Sequence, residues 1–171
     1  LITRPKLPTQ AQLMRLVVIA LGVVYGFPLF VSLAMQTLPS AHGGIVLGVL
    51  PLATAVVGAI RFKERPSLAF WATAILGSVL VIAYAALNGS GGVAPEDGLL
   101  FVAIASAAVG YSEGGKLSEE MSAVDVISWA LVLTLPINLL LTYQFLDFDV
   151  HAVSTPAIMS FVYVGLVSMY I

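Results

Sequence analysis

The chain has 171 residues, 60% of them hydrophobic and only 9% charged, with a mean hydropathy of +1.04 and a formal net charge of −2. Soluble domains carry about 25% charged residues, so the composition excludes an ordinary soluble domain and specifies an all-α, polytopic transmembrane helix bundle. The charge gives no reason to expect a nucleic-acid partner, and the absence of cysteine excludes disulfides, zinc–thiolate sites and thiol catalysis.

The first predicted span covers about 13–35. From Leu16 to Met35 there are 20 residues without a charge, and Arg15 stands at the start, where it can snorkel to the interface. Gly22 and Gly26 lie four apart, which lets a neighbouring helix come close, and Pro28 follows as an expected kink. After a turn marked by Pro39 and Ser40, the second span runs through Gly43–Ile60, 18 residues without a charge, with Pro51 near its middle. At 1.5 Å per residue it covers about 27 Å, close to the hydrocarbon thickness of a bilayer. The knot Arg61, Lys63, Glu64, Arg65 and Pro66 ends it. A third span covers about 67–87, with Trp71 and Tyr84 placed as interfacial aromatics.

Residues 88–98 (NGSGGVAPEDG) read as a linker between two halves. The fourth span covers about 98–116, with Gly110 and Gly114 again four apart. The fifth covers about 124–146 and contains Trp129, Pro136 and Asn138. A loop with Asp147, Asp149 and His151 precedes the sixth, which starts near Thr155 and is still apolar at Ile171. With the N-terminal side cytoplasmic, all seven basic residues (Arg4, Lys6, Arg15, Arg61, Lys63, Arg65 and Lys116) fall on the inner segments and none on the outer ones. The distribution of Lys and Arg thus predicts the orientation.

The second span with Pro51, the Glu64-Arg65 pair, the third span with Gly77, and the later run Tyr111-Ser112-Glu113-Gly114-Gly115-Lys116-Leu117-Ser118 resemble EamA-type carriers of the drug/metabolite transporter superfamily. The resemblance implies two inverted five-helix repeats, ten spans in all. The six seen here would be the third to the eighth: 1–88 the end of the first repeat, 89–97 the linker, and 98–171 the start of the second. It implies a secondary carrier of small polar metabolites, an exporter or exchanger, in a bacterial inner membrane. Expected partners are the lipid bilayer and a small-molecule substrate, with a homodimer left open. No cofactor is expected, and with no His-Glu-x-x-His, no Gly-x-Ser-x-Gly and no phosphate-binding loop, neither an enzyme nor direct use of ATP is expected.

Glu113 is the carboxylate expected inside a span, about six residues past its middle. An ionisable group at that depth is a functional candidate by default. Lys116, at i+3, has the spacing to neutralise it, so Glu113 reads either as a protonatable switch or as half of an ion pair. Gly110, Glu113, Gly114 and Leu117 share one helix face, which should point into the bundle. Tyr25, Tyr111 and Tyr163 are mid-span hydroxyl-bearing aromatics that could serve core packing, lipid contact or substrate binding. By the resemblance, the substrate-lining helices favour Tyr25, Tyr111, Glu113 and Tyr163 over Asn138. His42 reads as a solvated residue at the outer mouth of the second span. The rival class is a non-transporting membrane scaffold or receptor subunit. Converging polar groups around a cavity would favour the carrier; close packing with those groups paired would favour the scaffold.

Overall fold

A computed structural model of the chain describes residues 7–87, 94–144 and 153–163. Among them every regular element is helical. Most of the expected 89–97 linker, the Asp147, Asp149 and His151 loop, and the last span beyond Tyr163 lie outside the described residues.

Helix α1 (Gln10–Ile19) begins three residues earlier than expected. Thr9 and Gln12 form a reciprocal capping box: the Thr9 hydroxyl accepts from the Gln12 N–H, and the Gln12 side chain accepts from the Thr9 N–H. Two orphan donors at the helix start are satisfied together. The first span then widens into a π-helical segment at Ala20–Gly26 before continuing as α2 (Phe27–Ala34), with Pro28 in the first turn of α2. The Phe27 N–H donates to the Gly22 carbonyl five residues back. Proline in a continuous α-helix would clash with the carbonyl four residues before it; the wider π turn is how this span takes up the disturbance expected at Pro28.

The second span corrects the expectation of one continuous helix. It is split into α3 (Ser40–Leu47) and α4 (Leu50–Phe62) by a turn at Gly48 and Val49. Pro51 opens α4, where its missing N–H costs nothing, and so marks a helix start in mid-span. At the far end of α4, Lys63 adopts a left-handed conformation, φ 56° and ψ 30°, which reverses the chain after the last turn. Helix α5 (Leu68–Leu87) follows, its first turn capped by the Ser67 hydroxyl accepting from the Phe70 N–H.

Helix α6 (Asp97–Leu117) is the most enclosed element, and the chain is organised around it. It packs against α1, the π segment, α2, α3 and α4. Gly22 and Gly110 make the tightest crossing: a methyl group on Gly22 would sit 2.5 Å from the Ser106 carbonyl oxygen and 3.1 Å from the Gly110 Cα. The small residues expected to admit a neighbour do so here. Gly44, by contrast, has nothing within 4 Å of such a methyl group. Leu16 and Ile19 of α1 and Leu117 of α6 form a buried cluster with Val126 and Ala130 of α7 (Ala123–Gln144).

The chain divides into two compact units, Leu1–Leu135 and Pro136–Ile171. The second contains the end of α7 and α8 (Thr155–Tyr163). Four of the helical spans, Gln10–Ala34, Ser40–Phe62, Asp97–Leu117 and Ala123–Gln144, are long and apolar enough to cross a membrane. Large apolar side chains such as Leu21, Leu29, Ile75, Leu80 and Leu131 are more than half exposed. In water this would be an aggregation surface; in hydrocarbon it is the ordinary outer face of a bundle. Contacts between the helices then rely on close packing and polar bonds, since lipid is as apolar as leucine.

Candidate functional site

Glu113 lies near the end of α6 and is 2% exposed. The face carrying Gly110, Glu113 and Leu117 points into the bundle as its spacing predicts. Two arginines from other spans converge on this carboxylate. Arg15 of α1 donates from Nε to Oε1 at 2.6 Å, and Arg61 of α4 donates from Nε to Oε2 at 2.8 Å. A second Arg15 nitrogen reaches the Glu113 backbone carbonyl at 3.4 Å. Arg15 also holds Glu120, Nη1 to Oε1, at 2.7 Å, and Gln12 adds a hydrogen bond to the same carboxylate. Arg15, Arg61, Glu113 and Glu120 together carry no net charge, which is the condition for burying a carboxylate at this depth.

Lys116 does not neutralise Glu113. It pairs with Glu119 at 2.7 Å, on the more exposed side of the same helix end. Spacing of three along a helix permits a pair but does not select it; here the inward rotation of Glu113 takes it out of reach and leaves Glu119 beside Lys116.

At the opposite end of α6, about 24 Å away along the helix axis, His42 is also unlike its expectation. It is 8% exposed, and its Nε2 lies 2.6 Å from Oδ1 of Asp97, itself 5% exposed. The other Asp97 oxygen accepts from the Ala94 N–H. Helix α6 is therefore tied at both ends: to α3 through Asp97 and His42, and to α1 and α4 through Glu113.

The tyrosines singled out in the sequence have different surroundings. The Tyr25 hydroxyl, in the π segment, donates to the Thr134 carbonyl of α7 at 3.2 Å. Tyr111 is 45% exposed and lines an open cleft of ≈ 740 Å³ between α4, α5 and α6. Polar groups in that cleft come from Thr54, Glu64, Ser112, Lys116 and Glu119. The Ser112 hydroxyl donates to the Thr54 carbonyl at 3.0 Å, joining α6 to α4 at the cleft floor. Tyr163 belongs to the second unit, at the end of α8, and is exposed there. Tyr25, Tyr111 and Glu113 thus share one compact unit, and of the three Tyr111 alone lines this cleft.

No group of three or more His, Cys, Asp or Glu among the described residues is placed to hold a metal ion. Sequence reasoning missed Arg15, Arg61, His42 and Asp97 as partners. The signal was present in the span order: Arg15, Arg61 and Glu113 all fall at one end of their spans, and His42 and Asp97 at the other.

Fold and surface define an integral membrane protein, a helical bundle with buried charge at both ends of its central span. Over all 171 residues the chain is 44% identical to a Bacillus subtilis (strain 168) protein named "uncharacterized transporter YdeK". The chain spans 60% of that relative's length. No family model matches the chain, and no solved structure matches it.

Proposed function

We propose that this chain forms part of a secondary transporter that moves small polar metabolites by alternating access. The carrying observation is Glu113: a carboxylate 2% exposed in an apolar span, held by arginines from two other spans. A buried charge is expensive in a membrane and is found where function requires it. Such a bridge also locks one end of the bundle, since α1 and α4 cannot separate from α6 while both bonds stand. The His42–Asp97 pair ties the other end. Alternating access then consists of releasing one set of ties while the other holds. The split second span supports the same reading, because interrupted helices in mid-membrane are where carriers place substrate sites, and Leu50 and Pro51 beside the break line the cleft that contains Tyr111.

Within this proposal the chain is an EamA-type member of the drug/metabolite transporter superfamily, an exporter or exchanger with inverted repeats meeting near 89–97. Its N-terminal side is cytoplasmic in a bacterial inner membrane. Tyr25, Tyr111, Glu113 and Tyr163 serve the substrate path, with Glu113 acting through its arginine ties. The name of the Bacillus subtilis relative supports transport as the activity. One observation favours the rival scaffold: Glu113, Tyr25 and Ser112 all have partners. Against it stands the open cleft, with polar groups from α4 and α6 at its wall.

Flux through the full-length protein in liposomes separates the two. Glu113→Gln should lower transport at least tenfold, while Gly44→Ala, in open space on α3, keeps most activity. Normal transport in Glu113→Gln at unchanged expression would remove Glu113 from the mechanism.

A further inference from the structure

The cleft between α4, α5 and α6 has a chemical character that the Glu113 bridge does not use. Its charged lining residues are Glu64, Lys116 and Glu119, and Lys116 is already committed to Glu119. One carboxylate is left over. Among the described residues Glu64 makes no ion pair, although Lys63 and Arg65 flank it in sequence; neither lines the cleft, and Arg61 is held by Glu113.

Glu64 is an exposed residue, yet its carboxylate lies back against α4. The left-handed turn at Lys63 folds the chain back, and the Glu64 carboxylate comes to rest over Gly58. A methyl group at Gly58 would stand 2.8 Å from Oε2 of Glu64, so glycine is what leaves the seat open. That seat lies against the end of α4, where unpaired carbonyls already make the helix terminus negative. A carboxylate there adds like charge to like, and a cation relieves both. Tyr111 and Phe70, both exposed into the cleft region, supply aromatic surface, and aromatic faces attract ammonium groups. The volume, ≈ 740 Å³, falls in the range of small-molecule sites.

We propose that this cleft binds an organic monocation, the ammonium group of a small amine metabolite, with Glu64 as the counter-charge and Tyr111 and Phe70 as walls. The site deepens the transport proposal and, as a substrate site, rests on it. The test is calorimetric titration of the purified full-length protein with 2-phenylethylammonium, neutral 2-phenylethanol and anionic 3-phenylpropionate. The cation should bind at least tenfold more tightly than either analogue. Glu64→Gln should weaken it at least tenfold. Gly58→Ala, which keeps the charge but pushes the flexible carboxylate off its seat, should weaken it several-fold, and this variant decides the matter if Glu64→Gln does not fold. Equal binding of cation and neutral analogue, no binding of the cation, or unchanged affinity in Gly58→Ala or a folded Glu64→Gln would overturn the site. Flux of the same probe in liposomes keeps the two proposals apart. Glu64-dependent binding without flux of the probe keeps the site and removes its role in transport; flux of another solute without cation binding keeps transport and removes the site.

Discussion

The bridge at Glu113 should be energetically lopsided. Both arginines are within hydrogen-bonding distance, but the Arg15 side chain is 22% exposed and the Arg61 side chain 49%. A hydrogen bond to a charged, enclosed partner contributes about 1.5–3 kcal/mol, while a half-solvated ion pair is screened to roughly 1 kcal/mol or less. Double-mutant cycles of Glu113→Gln with Arg15→Gln and with Arg61→Gln, read from reversible unfolding of the full-length protein in mixed micelles, measure each coupling separately. The expected values are about 2 kcal/mol for Arg15 and about 1 kcal/mol for Arg61. The cycle with Lys116→Gln should give a coupling near zero, because Lys116 is bound to Glu119. Glu113→Gln alone should cost about 3 kcal/mol, since it removes the carboxylate shared by two arginines, leaving Arg15 with Glu120 and Arg61 without an ion-pair partner. An Arg61 coupling equal to or above that of Arg15, or a Lys116 coupling of similar size, would refute the assignment of partners.

Other outcomes follow from the packing and the topology. Gly22→Ala should destabilise by about 1–3 kcal/mol, because its methyl group meets α6 backbone that cannot swing away, whereas Gly44→Ala, with open space around it, should be neutral or stabilising by up to about 1 kcal/mol; thermal unfolding of the pair distinguishes a crossing point from an idle glycine. His42→Ala should cost about 1–3 kcal/mol by removing one of the two partners that hold buried Asp97, and a change below about 0.5 kcal/mol in the same unfolding assay would remove that tie from the account. Ser67→Cys, in this cysteine-free chain, should react with an impermeant thiol reagent only after the cells are opened; labelling of intact cells would invert the proposed orientation.

Much of the fold was legible because an apolar run of membrane length has few alternatives. Four of the six expected spans, the disturbance at Pro28 and the inward face of α6 follow from charge-free length, proline chemistry and helical periodicity. The break at Gly48 and Val49 was half visible: Pro51 was read as a kink, but only the turn before it shows that proline starts a new helix. The bridge was the part sequence order obscured. Lys116 is three residues from Glu113, while Arg61 is 52 away and Arg15 98 away. Local spacing therefore pointed to the wrong cation. Folding a chain back and forth across a membrane makes depth, not sequence distance, the coordinate that brings charges together. The basic-residue count used to orient the spans put Arg15, Arg61 and Lys116 on one side, the side towards which Glu113 lies, without choosing among them.

The two-ended tethering of α6 has a consequence for biogenesis. Of the four spans that meet the length requirement, α6 is the least hydrophobic, and it carries acidic residues near both ends. Acidic residues within a span oppose its insertion, most strongly at the centre and less towards the ends, so α6 is the segment least able to partition into lipid by itself. Its counter-charges, Arg15, His42 and Arg61, are all synthesised before it. This order predicts that the earlier spans receive α6 as it enters the bilayer. Deleting the first span should then leave α6 stranded in the aqueous phase during synthesis, even though its own sequence is untouched.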